Sequence, residues 1–309
     1  MKGMILAAGL GTRLEPLTRV RPKPLFPVLN RPLLGIAIEQ LRAMGATEVV
    51  INAHHLAAHV EQFVRGEHWG VAVIVRVEPE ILGTGGGIKN CADMLRDAPF
   101  SVVVNADIYY DFDLKPVLRY HAEKNNIATL VLCDDPRFNQ VGIDAEDRIV
   151  SVRGREVPQS EPPVRVLTFT GIHIIAARLL DALPPVGYFD IMGCYLDLAS
   201  RGEAVRGYQM RGGYWQDIGR IEAYRDLHQA LLRGKGPVIH SEAHLEQGVR
   251  MEGFVCVGKG TCIEHGALIK DSVIWDEAVI ARGSVVERCV VADGARVTGA
   301  HHGEALIPG

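Results

Sequence analysis

Nowhere in the 309 residues does an uninterrupted apolar run reach the ~18 residues that a membrane-spanning helix needs. The amino-terminal MKGMILAAGLGTR has one early basic residue and a short apolar run before a glycine-rich turn, which is not the layout of an export signal. Neither a membrane span nor secretion is expected. Paired cysteines are missing too: Cys91, Cys133, Cys194, Cys256, Cys262 and Cys289 stand far apart, with no Cys-x-x-Cys among them. That spacing argues against a disulfide framework and leaves no cluster of Cys and His for zinc, so reduced thiols in a cytoplasmic protein are expected. An excess of one charge is also lacking. The 33 basic and 37 acidic residues are interspersed and sum to −4, so no field gathers nucleic acid or anionic lipid, and any phosphate binding must be local.

What is present suits a large core. At 48% hydrophobic, the chain can form one big domain or a big and a small one, which excludes a peptide hormone or a linker. The runs Met4–Ala8, Val49–Asn52, Val71–Val75, Ser101–Val104 and Thr129–Leu132 are short and continuously apolar, the pattern of strands covered on both faces. Helical spacing lies between them. Leu34, Ile38, Leu41 and Met44 fall on one side of a helix that Pro32 can open and Gly45 can close, and Leu114, Val117, Leu118 and His121 repeat the pattern. This alternation predicts an α/β fold with a doubly wound, mainly parallel sheet.

The proline-rich segment Val152–Val166 reads as an exposed loop. A strand over Val166–Ala176 and helices over Asp190–Ser200 and Arg220–Leu232 follow, the last with Ile221, Tyr224, His228 and Leu231 facing inward. The pentapeptide Arg233-Gly-Lys-Gly-Pro237 marks a boundary, dividing the chain into domains 1–235 and 236–309. Past it, Val257, Ile263, Ile269, Ile274, Ile280, Val286, Val291 and Val297 recur every five or six residues. Such a period predicts a small three-sided parallel β-helix of two to three coils. Its aliphatic faces offer a contact surface for a homo-oligomer.

At the carboxyl end of the first predicted strand, Met4-Ile-Leu-Ala-Ala-Gly-Leu-Gly-Thr-Arg13 forms a glycine-rich turn, where open α/β sheets bind ligands. Gly9 and Gly11 let backbone amides approach phosphate oxygens. A Walker loop fails for want of Gly-Lys-Ser/Thr, and a dinucleotide fingerprint fails because Leu14 stands where glycine is required. Two cations accompany the turn: Arg13, and Lys23 between the prolines of Arg21-Pro-Lys-Pro-Leu25. Together they suit a triphosphate.

The string GLGTRLEPLT followed by RPKPLFPVLNRPLL closely resembles the signature of the sugar-1-phosphate nucleotidyltransferase family. Three later motifs keep the family's order: Ile81-Leu-Gly-Thr-Gly-Gly-Gly87, Val104-Asn-Ala-Asp107 and Tyr214-Trp-Gln-Asp-Ile-Gly219. The likeness covers roughly residues 1–230, and the tail resembles the hexapeptide left-handed β-helix that several members carry. It implies a Rossmann-like catalytic fold that joins a nucleoside triphosphate to a sugar 1-phosphate at Mg2+. It also implies that Leu6, Ala8, Gly9, Gly11, Thr12 and Asn105 bind substrate, that Gly83, Thr84, Gly85 and Gly86 lie near the base, and that Gly171, in Thr170-Gly-Ile-His173, lines the sugar pocket. Asp107 and Asp217 match the metal ligands. Glycine content alone does not exclude a plain flexible turn. The family's Glu-Lys-Pro, whose lysine binds the sugar phosphate, is absent: Ser151-Val-Arg-Gly-Arg155 stands there, so Arg153 and Arg155 are candidates and the role is unassigned.

The chemistry fits these residue types. A sugar 1-phosphate is already anionic at neutral pH, since its second pKa is near ~6, and needs no general base. Catalysis then reduces to alignment and charge neutralisation, with Arg13 assigned to the β- and γ-phosphates and Lys23 to the α-phosphate. The tail most resembles mannose-1-phosphate guanylyltransferases, so GTP with a manno sugar leads. UTP or dTTP with glucose or an N-acetylhexosamine comes next. Rival readings are a regulatory subunit that binds sugar nucleotide without turnover, an acyltransferase using His265, and transfer to phosphocholine. His54 and His55 read as surface residues at a helix start, and His173 as a core residue. Tyr214 and Trp215 are expected to pack beside the second aspartate.

Overall fold

All 309 residues are described in a computed structural model. Contacts divide the chain into two compact units, one made of Met1–Gly9 and Ile36–Trp215, the other of Leu10–Gly35 and Gln216–Gly309.

The first unit is an α/β layer built on one ten-stranded sheet. Its strands β1 (Lys2–Ala7), β2 (Glu48–Ala53), β3 (Ala72–Val77) and β4 (Phe100–Asn105) are parallel, in the spatial order β3-β2-β1-β4. Helices α1 (Leu33–Ala43), α2 (Ala57–Arg65) and α3 (Gly83–Asn90) alternate with them. The chain leaves β1 toward β2 and β3, then returns to place β4 on the other side of β1. That reversal is a topological switch point, and it opens a crevice outside the carboxyl ends of β1 and β4. Beyond β4 the sheet turns mixed. Strand β5 (Ala128–Cys133) and β4 flank the long β6 (Arg165–Ala176), both antiparallel to it, and β7 (Val205–Gln209) runs parallel to β5. The core gathers Met4, Val50, Val103, Leu130 and Ile175 from the sheet with Ile88, Leu95 and Tyr195 from the helices.

One local expectation is corrected and one alternative is closed. The segment Val152–Val166 is not loop throughout: Ile149–Val152 and Arg155–Glu156 pair as a hairpin, and Val152 is buried. Arg153 and Gly154 both take positive φ, at 51° and 75°, the backbone of a two-residue hairpin turn. The run Gly83–Gly87 is not a flexible turn but the opening of α3.

In the second unit, helix α5 (Ile221–Leu232), which follows α4 (Ile191–Ser200) of the first, lies in sequence just ahead of the β-helix. The β-helix strands are all parallel, and equivalent residues stack coil over coil: Val257 on Ile274 on Val291, Ile263 on Ile280 on Val297, Ile269 on Val286. All eight aliphatics singled out by their spacing are buried in one cluster. The coil number exceeds expectation, because the face begun by His244–Leu245 stacks four strands. The extra coil escaped notice because its inward positions carry Leu245 and Met251 rather than the Val and Ile of the later ones.

Three histidines are buried and uncharged. Burial, aided by Arg178, lowers the pKa of His121 to about 4, and burial alone lowers that of His173 to about 3. Burial also lowers His228 to about 4, against the hydrogen bond that its ring makes to the Tyr224 carbonyl at 2.9 Å. A histidine whose folded pKa lies below its unfolded value near 6.5 takes up its proton more readily when unfolded. Stability is therefore full above pH 6.5 and is lost as pH falls toward 4, on the order of 3 kcal/mol for each of His121 and His228. Urea midpoints measured from pH 7 to 4 should fall steeply, and a flat profile would contradict the burial of these rings.

Candidate active site

The carboxyl end of β1 is held by a buried polar chain. The Ala7 amide donates to Asn52 Oδ1 at 2.8 Å, Asn52 Nδ2 donates to Glu78 Oε1 at 2.8 Å, and Glu78 Oε2 accepts the Leu82 amide at 3.3 Å. Asn52 and Glu78 are 2% and 1% exposed, so neither could be left without partners. These two residues, at the ends of β2 and β3, set the strand end that leads to Ala8 and Gly9. Reading the sequence missed them. The available signal was a polar residue closing each of two apolar runs.

On the other side of the switch point, the Leu6 carbonyl accepts the Ala106 amide at 3.0 Å, tying β1 to the turn after β4. That turn carries the half-buried Asp107. Asn105 closes β4, and a Cβ on Gly171 would come within 2.8 Å of its Nδ2. Gly171 sits at the register shift of β6 with φ 82°, a backbone that a side chain would strain. Two expected pocket residues, Asn105 and Gly171, are thus neighbours, and Asp107 is two positions from the first.

The glycine run has a packing reason. A Cβ on Gly85 would lie 2.4 Å from the Phe189 ring, and one on Gly86 would lie 2.0 Å from the Gly187 carbonyl. The Phe189 carbonyl accepts both the Gly85 and Gly86 amides, at 3.0 and 3.3 Å. Thr84 Oγ1 donates to Asp190 Oδ1 and accepts the Ile191 amide, each at 3.0 Å. Arg153 reaches the other Asp190 oxygen at 3.0 Å, whereas Arg155 lies on the exposed edge strand. Of the two arginines, only Arg153 has this partner beside α3.

In the second unit, the Gly11 carbonyl accepts the Leu14 amide at 2.9 Å and Thr18 Oγ1 at 3.4 Å, closing a tight turn around the exposed Thr12 and Arg13. Leu14 and Leu17 anchor it and are fully buried. Lys23 is only 8% exposed and opens a helical turn bounded by Pro22 and Pro24. Asp217 Oδ1 accepts the Gly219 amide. The point where a Cβ on Gly219 would sit is 2.6 Å from Asp217 Oδ1 and 3.0 Å from Arg13 Nη2. Residues some two hundred positions apart therefore meet, a guanidinium beside a carboxylate.

The remaining residues that the sequence brought forward have partners of their own. His173 lies in the core against the Tyr195 hydroxyl, as its place in the strand predicted. His54 Nδ1 is 2.8 Å from the Glu78 carbonyl oxygen. Trp215 Nε1 donates to the Thr170 carbonyl at 2.8 Å, and the Tyr214 amide donates to Asp111 at 2.6 Å. The His265 amide donates to Glu246 at 2.8 Å and its carbonyl accepts the Gly283 amide at 3.0 Å.

Asp107 and Asp217 supply hard oxygen donors, and no group of three or more His, Cys, Asp or Glu side chains forms a cage. Taken singly, in either unit, such a carboxylate is the donor type that suits magnesium, which takes one or two carboxylates and completes its shell with phosphate oxygens and water.

The profile described as Nucleotidyl transferase matches residues 2–234. The chain belongs to the nucleotidyl transferase family. Among curated relatives of this nucleotidyl transferase, a mannose-1-phosphate guanylyltransferase of Mycobacterium tuberculosis is 30% identical, the match covering 92% of this chain and 82% of the relative. A UTP–glucose-1-phosphate uridylyltransferase of Synechocystis is 29% identical, over 96% of this chain and 84% of that one. Among solved structures, one named for a glucose-1-phosphate thymidylyltransferase from Bacillus anthracis superposes with a TM-score of 0.64 at 26% identity, covering 76% of this chain and 96% of that one. The enzyme class expected from the motifs and the α/β fold with its parallel β-helix both stand. No helix of the nucleotidyl transferase is long and apolar enough to cross a membrane.

Proposed function

We propose that this enzyme transfers a nucleoside monophosphate from GTP to mannose 1-phosphate or a related manno sugar, releasing pyrophosphate. The observation that carries the reading is the meeting of Arg13 with Asp217 at Gly219, a cation and a metal-type carboxylate assembled from two separate family motifs. In this reading Arg13 neutralises the β- and γ-phosphates as pyrophosphate departs, and Lys23 draws charge from the α-phosphate under attack. Asp107 and Asp217 hold Mg2+, which when bound shields the phosphate oxygens. Leu6, Ala8, Gly9, Gly11, Thr12 and Asn105 bind substrate, Gly83 to Gly86 adjoin the base, and Gly171 lines the sugar pocket. No general base is required, because the attacking phosphate is already anionic.

Similarity to the guanylyltransferase supports the guanine and manno pairing. The uridylyltransferase, nearly as similar over more of the chain, supports UTP with a gluco sugar as the second reading. A catalytic domain spanning residues 1–235 and a hexapeptide-repeat domain spanning residues 236–309 are retained as a proposal, supported by the family match ending at 234. So are a homo-oligomer formed through the β-helix and residence in a reducing cytoplasm, the latter supported by six free cysteines. The test is a panel of GTP, UTP, dTTP and ATP against mannose, glucose and N-acetylglucosamine 1-phosphates, with phosphocholine as a further acceptor, read by pyrophosphate release. GTP with mannose 1-phosphate should give the highest kcat/KM. Release with no combination would favour a non-catalytic subunit.

A further inference from the structure

Within the second unit, Arg21 ties the turn of Lys23 to the β-helix. Its Nε and Nη2 donate to the two oxygens of Asp293 at 2.8 and 2.7 Å, and Nη2 also donates to Asp276 at 2.8 Å. The guanidinium carbon lies 5.3 Å from the centroid of the fully buried Trp275 ring, and the side chain is only 17% exposed. Burial opposes the Arg21 charge, but Asp293 and Asp276 outweigh it and raise its pKa above the ordinary value. The next residues are fastened to the same surface. Phe26 meets Trp275 edge-on at 4.6 Å, Trp275 Nε1 donates to the Tyr224 hydroxyl at 3.1 Å, and that hydroxyl donates to the Pro27 carbonyl. Asn30 Nδ2 donates to the Val257 carbonyl at 2.7 Å.

An exposed ion pair would do little here, since side-chain entropy and screening cancel most of its attraction. This one is bidentate, largely buried and stacked on an indole, a geometry that only the planar guanidinium fork supplies. Pro22, with φ −66°, and Pro24 bracket Lys23, so few backbone torsions separate the lysine from the clamped arginine. We propose that Arg21 is a positioning residue for Lys23, and that Asp293, Asp276 and Trp275 make the β-helix the mount on which the lysine's turn is set. The inference rests on the assignment of Lys23 to the α-phosphate, and it gives the carboxyl-terminal coils a role in the reaction that the family assignment does not state.

Two readouts test it on the full-length chain. Lys23 is buried and should acylate slowly with acetic anhydride, mapped by mass spectrometry. In Arg21→Ala its labelling should rise about fivefold or more as the turn opens locally, with Lys2 of the first unit unchanged as the internal control. Should Arg21→Ala fail to fold, Arg21→Lys and Asp293→Asn test the same clamp. In the folded variants kcat should drop roughly tenfold with KM for the triphosphate nearly constant, as expected when an aligned group is displaced. Adding Arg21→Lys to Lys23→Ala should cost nothing further, whereas a merely structural arginine would add its own loss. Unchanged Lys23 labelling in a folded clamp variant, or fully additive losses, overturns the inference. Labelling does not depend on turnover, so an error in the Lys23 assignment would show separately, as a Lys23→Ala enzyme with normal rate.

Discussion

Replacing Arg13 by alanine should lower kcat by roughly a hundredfold or more, the scale seen when a preorganised donor to a developing anion is lost. The structure gives a reason to expect a specific effect rather than a folding defect. Arg13 is exposed at the tip of its turn, while the buried Leu14 and Leu17 hold the turn itself. In the proposed reaction its charge serves the departing pyrophosphate, the group whose charge grows in the transition state. Arg13→Lys should recover only part of the rate, because an ammonium offers a point charge where the guanidinium offers a planar fork. Single-turnover pyrophosphate release is the measurement, and a near-normal alanine variant would refute the role.

Asp217→Asn should raise the magnesium concentration for half-maximal activity by about ten- to a hundredfold, as altered ligation typically does. The substitution is nearly isosteric, and asparagine keeps an oxygen to accept the Gly219 amide, so the backbone from Asp217 to Gly219 should survive. What changes is the charge beside Arg13. Titrating Mg2+ at fixed triphosphate reads this directly, and an unchanged magnesium requirement in both Asp217→Asn and Asp107→Asn would remove these residues as ligands.

Much of the fold was legible because its signals are local. The five expected strands lie within two residues of their limits, and four of them are largely buried and apolar throughout, whereas the edge strand Ala72–Val77 leaves Ile74 and Val77 exposed and is not covered on both faces. The eight β-helix aliphatics were legible for a similar reason, as a repeat places every equivalent residue in the same environment. The local form of the glycine run was not legible. Glycine disfavours helix, and only close approach explains three in a row at the start of α3: Phe189 and Gly187 crowd Gly85 and Gly86, and Asn52 and Glu78 crowd Gly87. The hairpin at Arg153-Gly154 was hidden among prolines, and Asn52 with Glu78 went unremarked because single polar residues at strand ends are common.

Sequence by itself determined the strand and helix alternation, the β-helix, and the motifs that carry Arg13, Lys23, Asp107 and Asp217. Only the tertiary structure decided that the amino-terminal signature segment Leu10–Gly35 clusters with the carboxyl-terminal coils, through partners such as Asp276 and Asp293, 255 and 272 residues from Arg21. The physical reason is range. Periodicity and turn chemistry act over a few residues and are written in the local pattern, whereas an ion pair or a Cβ-sized gap joins distant residues whose identities carry no mark of one another.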